Sequence, residues 1–258
     1  MKHLISLPLL LSLFLLTCSP STPPFSFIFC NDIHLECGPD DPEKLSAALK
    51  KMKNENNSDF IVLAGDLTCN ATIYQFHTLD SLLNNSGMQF FLLPGNHDID
   101  CVINDDRKNY MSHFSESAQS YLFIHKGICF LMLDLSDCAM AHVKVDSTHL
   151  NWIKSSLERV DPQIPLVIIT HFPLHPGTPR FAVANSSSLT SALQGRKILG
   201  YFSGHFHDSY SDTIDNVPFF SNVTLLPNIE NMGQDTRKGY LRVFVSNREI
   251  SAEFMKTH

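Results

Sequence analysis

The feature that most constrains this chain is a run of four apolar residues, Phe90, Phe91, Leu92 and Leu93. It stops at Pro94-Gly95 and delivers Asn96, His97 and Asp98 in a row. An apolar run of this length, bounded by Pro-Gly, reads as a buried strand. Three side chains able to handle protons or metals then sit at its carboxyl end, the edge where open α/β sheets bind ligands. An Asn-His-Asp run alone is compatible with a polar turn. Four other strand-like runs end the same way, however. Residues 25–29 lead into Asp32 and His34, 60–64 into Gly65-Asp66, 165–170 into His171, and 198–203 into Gly204, His205 and His207.

The segments between these runs read as helices. Asp41-Pro42-Glu43 opens the first, with Asp41 as N-cap and Pro42 at the first position. Leu45, Ala48, Leu49 and Met52 give it one apolar stripe, and Ile73, Phe76, Leu79, Leu82 and Leu83 give a second helix another. This β-α-β-α-β order predicts a parallel sheet with right-handed crossovers. Residues 99–120 are less regular and are expected to cap the active-site edge. A hairpin is expected over 121–124 and 128–134, about Lys126-Gly127, and a helix over 147–160, around the single tryptophan, Trp152. Residues 217–222, 240–246 and 249–254 are expected as an antiparallel finish. With no repeat or low-complexity linker after Pro24, residues 25–258 are expected to form one domain.

Asp32, His34, Asp66, Asn96, His97, Asp98, His171, His205 and His207 therefore gather at strand ends. Carboxylates, imidazoles and an amide oxygen, without thiolates, suit borderline or hard divalent ions rather than a structural zinc. Even without His97 and Asp98 they exceed one tetrahedral site, and they suffice for two ions if one carboxylate bridges. The formal charge of −7 makes a nucleic-acid backbone a poor partner. An anionic substrate must be drawn in locally, by metal ions or a few arginines. Cys129 lies inside an apolar run and reads as a small buried hydrophobe. His175, four residues after His171, is expected near the site.

Asp-x-His, Gly-Asp, Gly-Asn-His-Asp, a lone His and Gly-His-x-His, in that order, resemble the calcineurin-like metallophosphoesterase superfamily. The likeness runs from residue 25 to the end of the chain and is nearest to its compact cyclic-nucleotide phosphodiesterase branch. It implies a four-layer α-β-β-α sandwich of two mixed β-sheets, with a dinuclear metal site at their shared edge. It also implies two divalent ions (Mn, Fe or Zn), the first held by Asp32, His34 and His207. The second would be held by Asn96, His171 and His205, and Asp66 would bridge both. His97 would be the histidine near the scissile phosphate that binds no metal, oriented by Asp98. The implied activity is hydrolysis of a small anionic phosphoester, a diester or monoester such as a nucleotide, by a metal-bridging hydroxide. Relatives of the same class also include pyrophosphatases acting on lipid or nucleotide precursors, and binding modules that keep the fold. Purple acid phosphatases carry a Tyr ligand three residues after the Gly-Asp aspartate. Here that position is Cys69, which is expected to be packed or disulfide-bonded.

At the N-terminus, Lys2 and His3 precede an apolar run over residues 4–16, too short for a bilayer span of about 20 residues. This is the pattern of an export signal over residues 1–17. It leads to Cys18 and a Ser/Pro-rich tether over 18–24, which resembles a lipoprotein signal with Thr17 where small residues are usual. Lipidation of Cys18, giving a membrane-anchored exported protein, and plain cleavage near residues 19–24, giving a soluble exported one, are the two readings. The first predicts that Cys18→Ala moves the protein from the membrane into a soluble exported fraction. A mature N-terminus found downstream of Cys18 in the unaltered protein would leave only the second.

Overall fold

The alternation of side chains within the strands decides the layering. The structure is a computed structural model that describes residues 23–99, 107–117, 119–138 and 140–257. Its elements begin with β1 (Phe25–Cys30), α1 (Asp41–Asn56), β2 (Ile61–Ala64), α2 (Ile73–Ser86) and β3 (Phe90–Leu93). After a 3-10 turn at Asn96–Asp98 come α3 (Lys108–Phe114), β4 (Tyr121–His125), β5 (Ile128–Met132), α4 (Ser147–Leu157), β6 (Leu166–Ile169) and α5 (Ser186–Ala192). Five strands follow: β7 (Ile198–Ser203), β8 (Tyr210–Ile214), β9 (Val217–Ser221), β10 (Gly239–Ser246) and β11 (Glu249–Lys256). The export signal and Cys18 lie outside the described residues.

Strand order is β11-β10-β1-β2-β3 in one sheet and β4-β5-β6-β7-β9-β8 in the other. Both are mixed. β1, β2 and β3 run parallel while β10 and β11 pair antiparallel, and β5, β6, β7 and β9 run parallel between antiparallel β4 and β8. β1 turns Phe25, Phe27 and Phe29 toward the second sheet, where they meet Phe130, Val167 and Phe202, and turns Ile28 and Cys30 toward the helices. Leu45 and Leu49 of α1, Phe76 and Leu79 of α2, and Tyr110 of α3 cover that outer face. α4 and α5 cover the second sheet through Ile153, Leu157 and Leu189. The four layers are therefore α-β-β-α, as the resemblance implied.

Several local expectations change. Asp41 is the first residue of α1 rather than its cap, and Asp40 caps the helix at φ 61°. The Asp41 carboxylate is instead engaged by Gly38 N at 2.8 Å and Asn228 Nδ2 at 3.0 Å. Of the segment expected as a cap over the active-site edge, α3 packs into the helical layer beside α2, because Tyr110 and Phe114 are apolar anchors against Phe76. The three-stranded finish divides: β9 joins the second sheet beside β7, and only β10 and β11 form a hairpin on the first. β8 had no expected counterpart because Tyr210–Ile214 is an exposed polar edge strand without apolar alternation.

Phe60, just before β2, is the hub of the layer between the sheets. Its ring stacks on Phe27 at 5.3 Å and meets Phe91, Phe123 and Phe130 edge-on. Deleting a buried aromatic of this kind costs about 3–5 kcal/mol. Phe60→Ala is expected to lower unfolding free energy by that amount in denaturant titrations. Tyr74→Ala, at a residue 67% exposed, should stay within about 0.5 kcal/mol. Equal small effects would show that the inter-sheet layer is not where the stability resides.

Candidate metal centre

The parallel pairing of β1 and β2 continues past the strands and carries the site with it. Asp32 N donates to Gly65 O at 3.0 Å, His34 N to Asp66 O at 2.9 Å and Leu35 N to Leu67 O at 3.0 Å. A disulfide between Cys37 and Cys69 closes the ends of these two loops. Cys69 is thus bonded, as expected, and Cys129 is fully buried and free. Asp32, His34, Asp66, His205 and His207 all have positive φ, between 47° and 63°. Left-handed backbone at a non-glycine residue costs energy and concentrates at functional sites. Two glycines permit close approach. A Cβ on Gly65 would stand 2.5 Å from His171 Nδ1, and one on Gly204 would stand 2.6 Å from Asp32 Oδ2.

The loops bring the expected ligands into two groups, Asp32, His34, Asp66 and His207 in one and Asp66, His171 and His205 in the other. Asp66 belongs to both. His34 Nε2 lies 3.2 Å from His207 Nε2, which lies 3.1 Å from Asp32 Oδ1. His171 Nε2 is 3.3 Å from Asp66 Oδ1, and His34 Nε2 is 3.6 Å from Asp66 Oδ2. Neighbouring ligands of an ion bound at about 2.1 Å stand about 3.0–3.4 Å apart, so these spacings fit a cation between them. Asn96 is buried, and its Oδ1 has no hydrogen-bond partner. A buried amide oxygen left unsatisfied is unfavourable without a ligand, and its burial beside Gly95 and Asp98 fits the same purpose.

Hydrogen bonds to backbone fix which atom each side chain presents. His171 Nδ1 donates to Ala64 O at 2.9 Å, which leaves Nε2 with the lone pair. His205 is the reverse: its Nε2 donates to Ala141 O at 2.9 Å, which leaves Nδ1. Asp32 Oδ2 accepts from His205 N at 2.9 Å and from Asn31 Nδ2, which leaves Oδ1 turned to His207 Nε2. Asn31 was not among the expected site residues, and its only sequence signal is its place before Asp32.

Burial works against ionisation of Asp32, yet the His207 imidazole prevails and holds the carboxyl at about 2. On Asp66 burial is overcome by His171, and the carboxyl falls well below its usual range. Burial also opposes a charged His171, but Asp66 lifts it to about 9, so Nε2 holds a proton against Asp66 that a bound cation would displace. His34 is pushed down to about 4 by burial, and His205 to about 4 by burial and by the charge on His171. Two carboxylates are thus ionised at no more than 1% exposure, faced by the His171 and His207 imidazoles and by no Lys or Arg ion pair among the described residues. Buried carboxylates compensated only by imidazoles suit a site that takes up cations.

His97 is exposed at the rim, with its ring 4.9 Å from that of His34 and its backbone N donating to Asp66 Oδ1 at 2.9 Å. Its Nδ1 donates to the Cys69 carbonyl at 3.3 Å. The expected orientation of His97 by Asp98 is corrected by this geometry. Asp98, 1% exposed, accepts from Leu67 N at 3.0 Å, Thr68 N at 2.9 Å, Thr68 Oγ1 at 3.1 Å and Gly95 N at 2.9 Å. Four donors saturate its carboxylate, and it ties the loop after β3 to the loop after β2. Burial, and then the charge on Asp66, raise the Asp98 carboxyl to about 6. His175 joins neither group. It accepts from Gly177 N at 2.9 Å and pairs with Tyr210 and Asp212.

A family profile described as calcineurin-like phosphoesterase matches residues 25–209. A 3′,5′-cyclic-nucleotide phosphodiesterase of Nostoc sp. is 22% identical over 212 residues, 76% of each chain. The purple acid phosphatase of yellow lupin (Lupinus luteus) seeds superimposes with TM-score 0.65 at 14% identity, over 92% of this chain and 52% of its own. This chain thus spans about half the length of that phosphatase. GAP50, described as the anchor in the inner membrane complex of Plasmodium, gives 0.61 at 15% identity, over 91% and 85%. Both structural likenesses concern the fold alone. A His/Asp centre at the edge of this two-sheet sandwich defines a metal-dependent phosphoesterase. The chain belongs to the calcineurin-like phosphoesterase family.

Asp66 is the one side chain common to both groups. Asp66→Ala is expected to abolish tight binding of every ion, whereas His207→Ala should weaken one site and leave the other, as read by elemental analysis after dialysis. Two ions retained by the Asp66 variant would refute its shared role.

Proposed function

We propose that the protein hydrolyses a small phosphoester, a diester or monoester with nucleotides among the candidates, using two divalent ions. Asp32, His34 and His207 would hold one, and Asn96, His171 and His205 the other, with Asp66 between them. The observation that carries this reading is the single buried carboxylate shared by two groups of ligand atoms. Ions held there would polarise the phosphoryl oxygens and make a bound water acidic enough to act at neutral pH. The Nostoc relative, a cyclic-nucleotide phosphodiesterase by name, supports the diester as first substrate. Removal of the ions by chelation should abolish hydrolysis, and Mn, Fe or Zn added singly should identify which restores it. A substrate panel of phosphomonoesters, cyclic nucleotides and lipid or nucleotide pyrophosphates then ranks the classes. A separate proposal, supported by the N-terminal segment alone, is that the protein is exported.

His97 takes a separate part. Its Nδ1 is engaged by the Cys69 carbonyl, so Nε2 is the nitrogen left to meet substrate. In this reading Nε2 donates a proton or hydrogen bond to the departing ester oxygen. That help matters for a basic alkoxide and little for a nitrophenolate. General acid catalysis contributes about 10²–10⁴-fold, so His97→Asn should lose that much on an alkyl or nucleoside ester. The loss on a nitrophenyl ester should be far smaller, with both ions retained. Equal losses on the two substrates would assign His97 to binding phosphoryl oxygens instead.

A further inference from the structure

Phe181 lies in the segment between His171 and α5, which turns back on itself through Thr178 N to His175 O at 3.1 Å and Val183 N to Pro173 O at 2.9 Å. Its φ is 61°. A bulky aromatic residue in left-handed backbone is an outlier that persists only when its surroundings hold it there. The ring centroid stands 4.8 Å from that of His205 and 5.4 Å from that of His142. His142 is exposed and Phe181 is half-buried, so the residue keeps some contact with solvent next to His205.

Packing of His205 does not by itself account for this. Phe172, fully buried and outside the positive-φ region, already lies against His205 at 4.6 Å. Phe181 is a second aromatic on the same imidazole, strained where Phe172 is relaxed and half-buried where Phe172 is fully buried. A flat apolar surface beside a phosphoryl site can also attract ligand without positive charge, which suits a chain of net charge −7.

We propose that Phe181 is a stacking platform for a flat aromatic group carried by the substrate next to its phosphoryl centre, and so determines specificity. The proposal rests on the phosphoesterase reading above. Aromatic faces accept any planar base, because stacking relies on the π-surface rather than on hydrogen-bond pattern.

The test is equilibrium binding to the Mn²⁺-loaded protein by calorimetry. The probes are the phosphonate analogues of AMP and of ribose 5-phosphate, in which CH₂ replaces the ester oxygen and hydrolysis is blocked. The unaltered protein should prefer the AMP analogue. Phe181→Leu keeps apolar bulk and the same backbone demand but removes the ring face. It should weaken the AMP analogue about 5-fold or more and leave the ribose analogue unchanged, while Phe181→Tyr restores the preference. Equal weakening of both probes would make Phe181 a support for His205 and overturn the proposal. It is equally overturned by no weakening, by failure to bind either probe, or by no preference in the unaltered protein. Because binding is read without turnover, a protein that discriminates the probes yet hydrolyses nothing fails the enzyme reading and leaves the platform standing.

Discussion

Three other loops of the centre converge on one buried carboxylate, Asp66. Asp66 is 1% exposed, and an ionised group withdrawn from water that far costs several kcal/mol unless it is paired. Its Oδ1 receives the backbone N–H of His97 and faces His171, and its Oδ2 faces His34. Gly95 brings the backbone of the third loop so close that a Cβ there would collide with Asp66. Three strand ends are therefore committed to compensating one charge. The remaining ligands complete an environment that favours divalent cations over further protein contacts.

The scaffold makes such convergence inexpensive in entropy. β1 and β2 deliver Asp32, His34 and Asp66 from neighbouring parallel strands, and their ladder of backbone hydrogen bonds runs on through the loops. Loops that continue a ladder have little freedom left to lose when they bind an ion. Asp98 extends the same economy to the loop after β3 by accepting from Leu67, Thr68 and Gly95. The disulfide closes the rim outside it. From the second sheet, β6 and β7 contribute His171, His205 and His207, so the centre spans both sheets at one edge.

Much of this was legible in the sequence because the ligands fall at the ends of apolar runs whose length and spacing mark buried parallel strands. Asp32, His34, Asp66, His171, His205 and His207 needed only a linear reading to be collected. What escaped that reading depends on tertiary partners. β9 and β10 both look like strands of one finish, but only the pairing of β9 with β7 shows that they belong to different sheets. Asp41 has a cap-forming residue type in a cap-like place, yet Asn228, far along the chain, engages its carboxylate. Asp98 adjoins His97 in sequence, but a 3-10 turn points the one inward and leaves the other at the surface.

The part least visible in sequence is the part that sets which nitrogen each histidine offers to the centre. His171 presents Nε2 because Ala64 offers its carbonyl to Nδ1, and His205 presents Nδ1 because Ala141 takes Nε2. Backbone carbonyls of alanine carry no sequence signature, and any residue compatible with the local packing would supply the same acceptor. The tautomers are consequently a property of backbone placement rather than of neighbouring side-chain chemistry. Cys69 follows the same rule, since its carbonyl and not its sulfur meets His97, while its sulfur holds the loop that carries that carbonyl. The motif thus selects which side chains reach the edge, and the sheets behind it select which face of each side chain is offered.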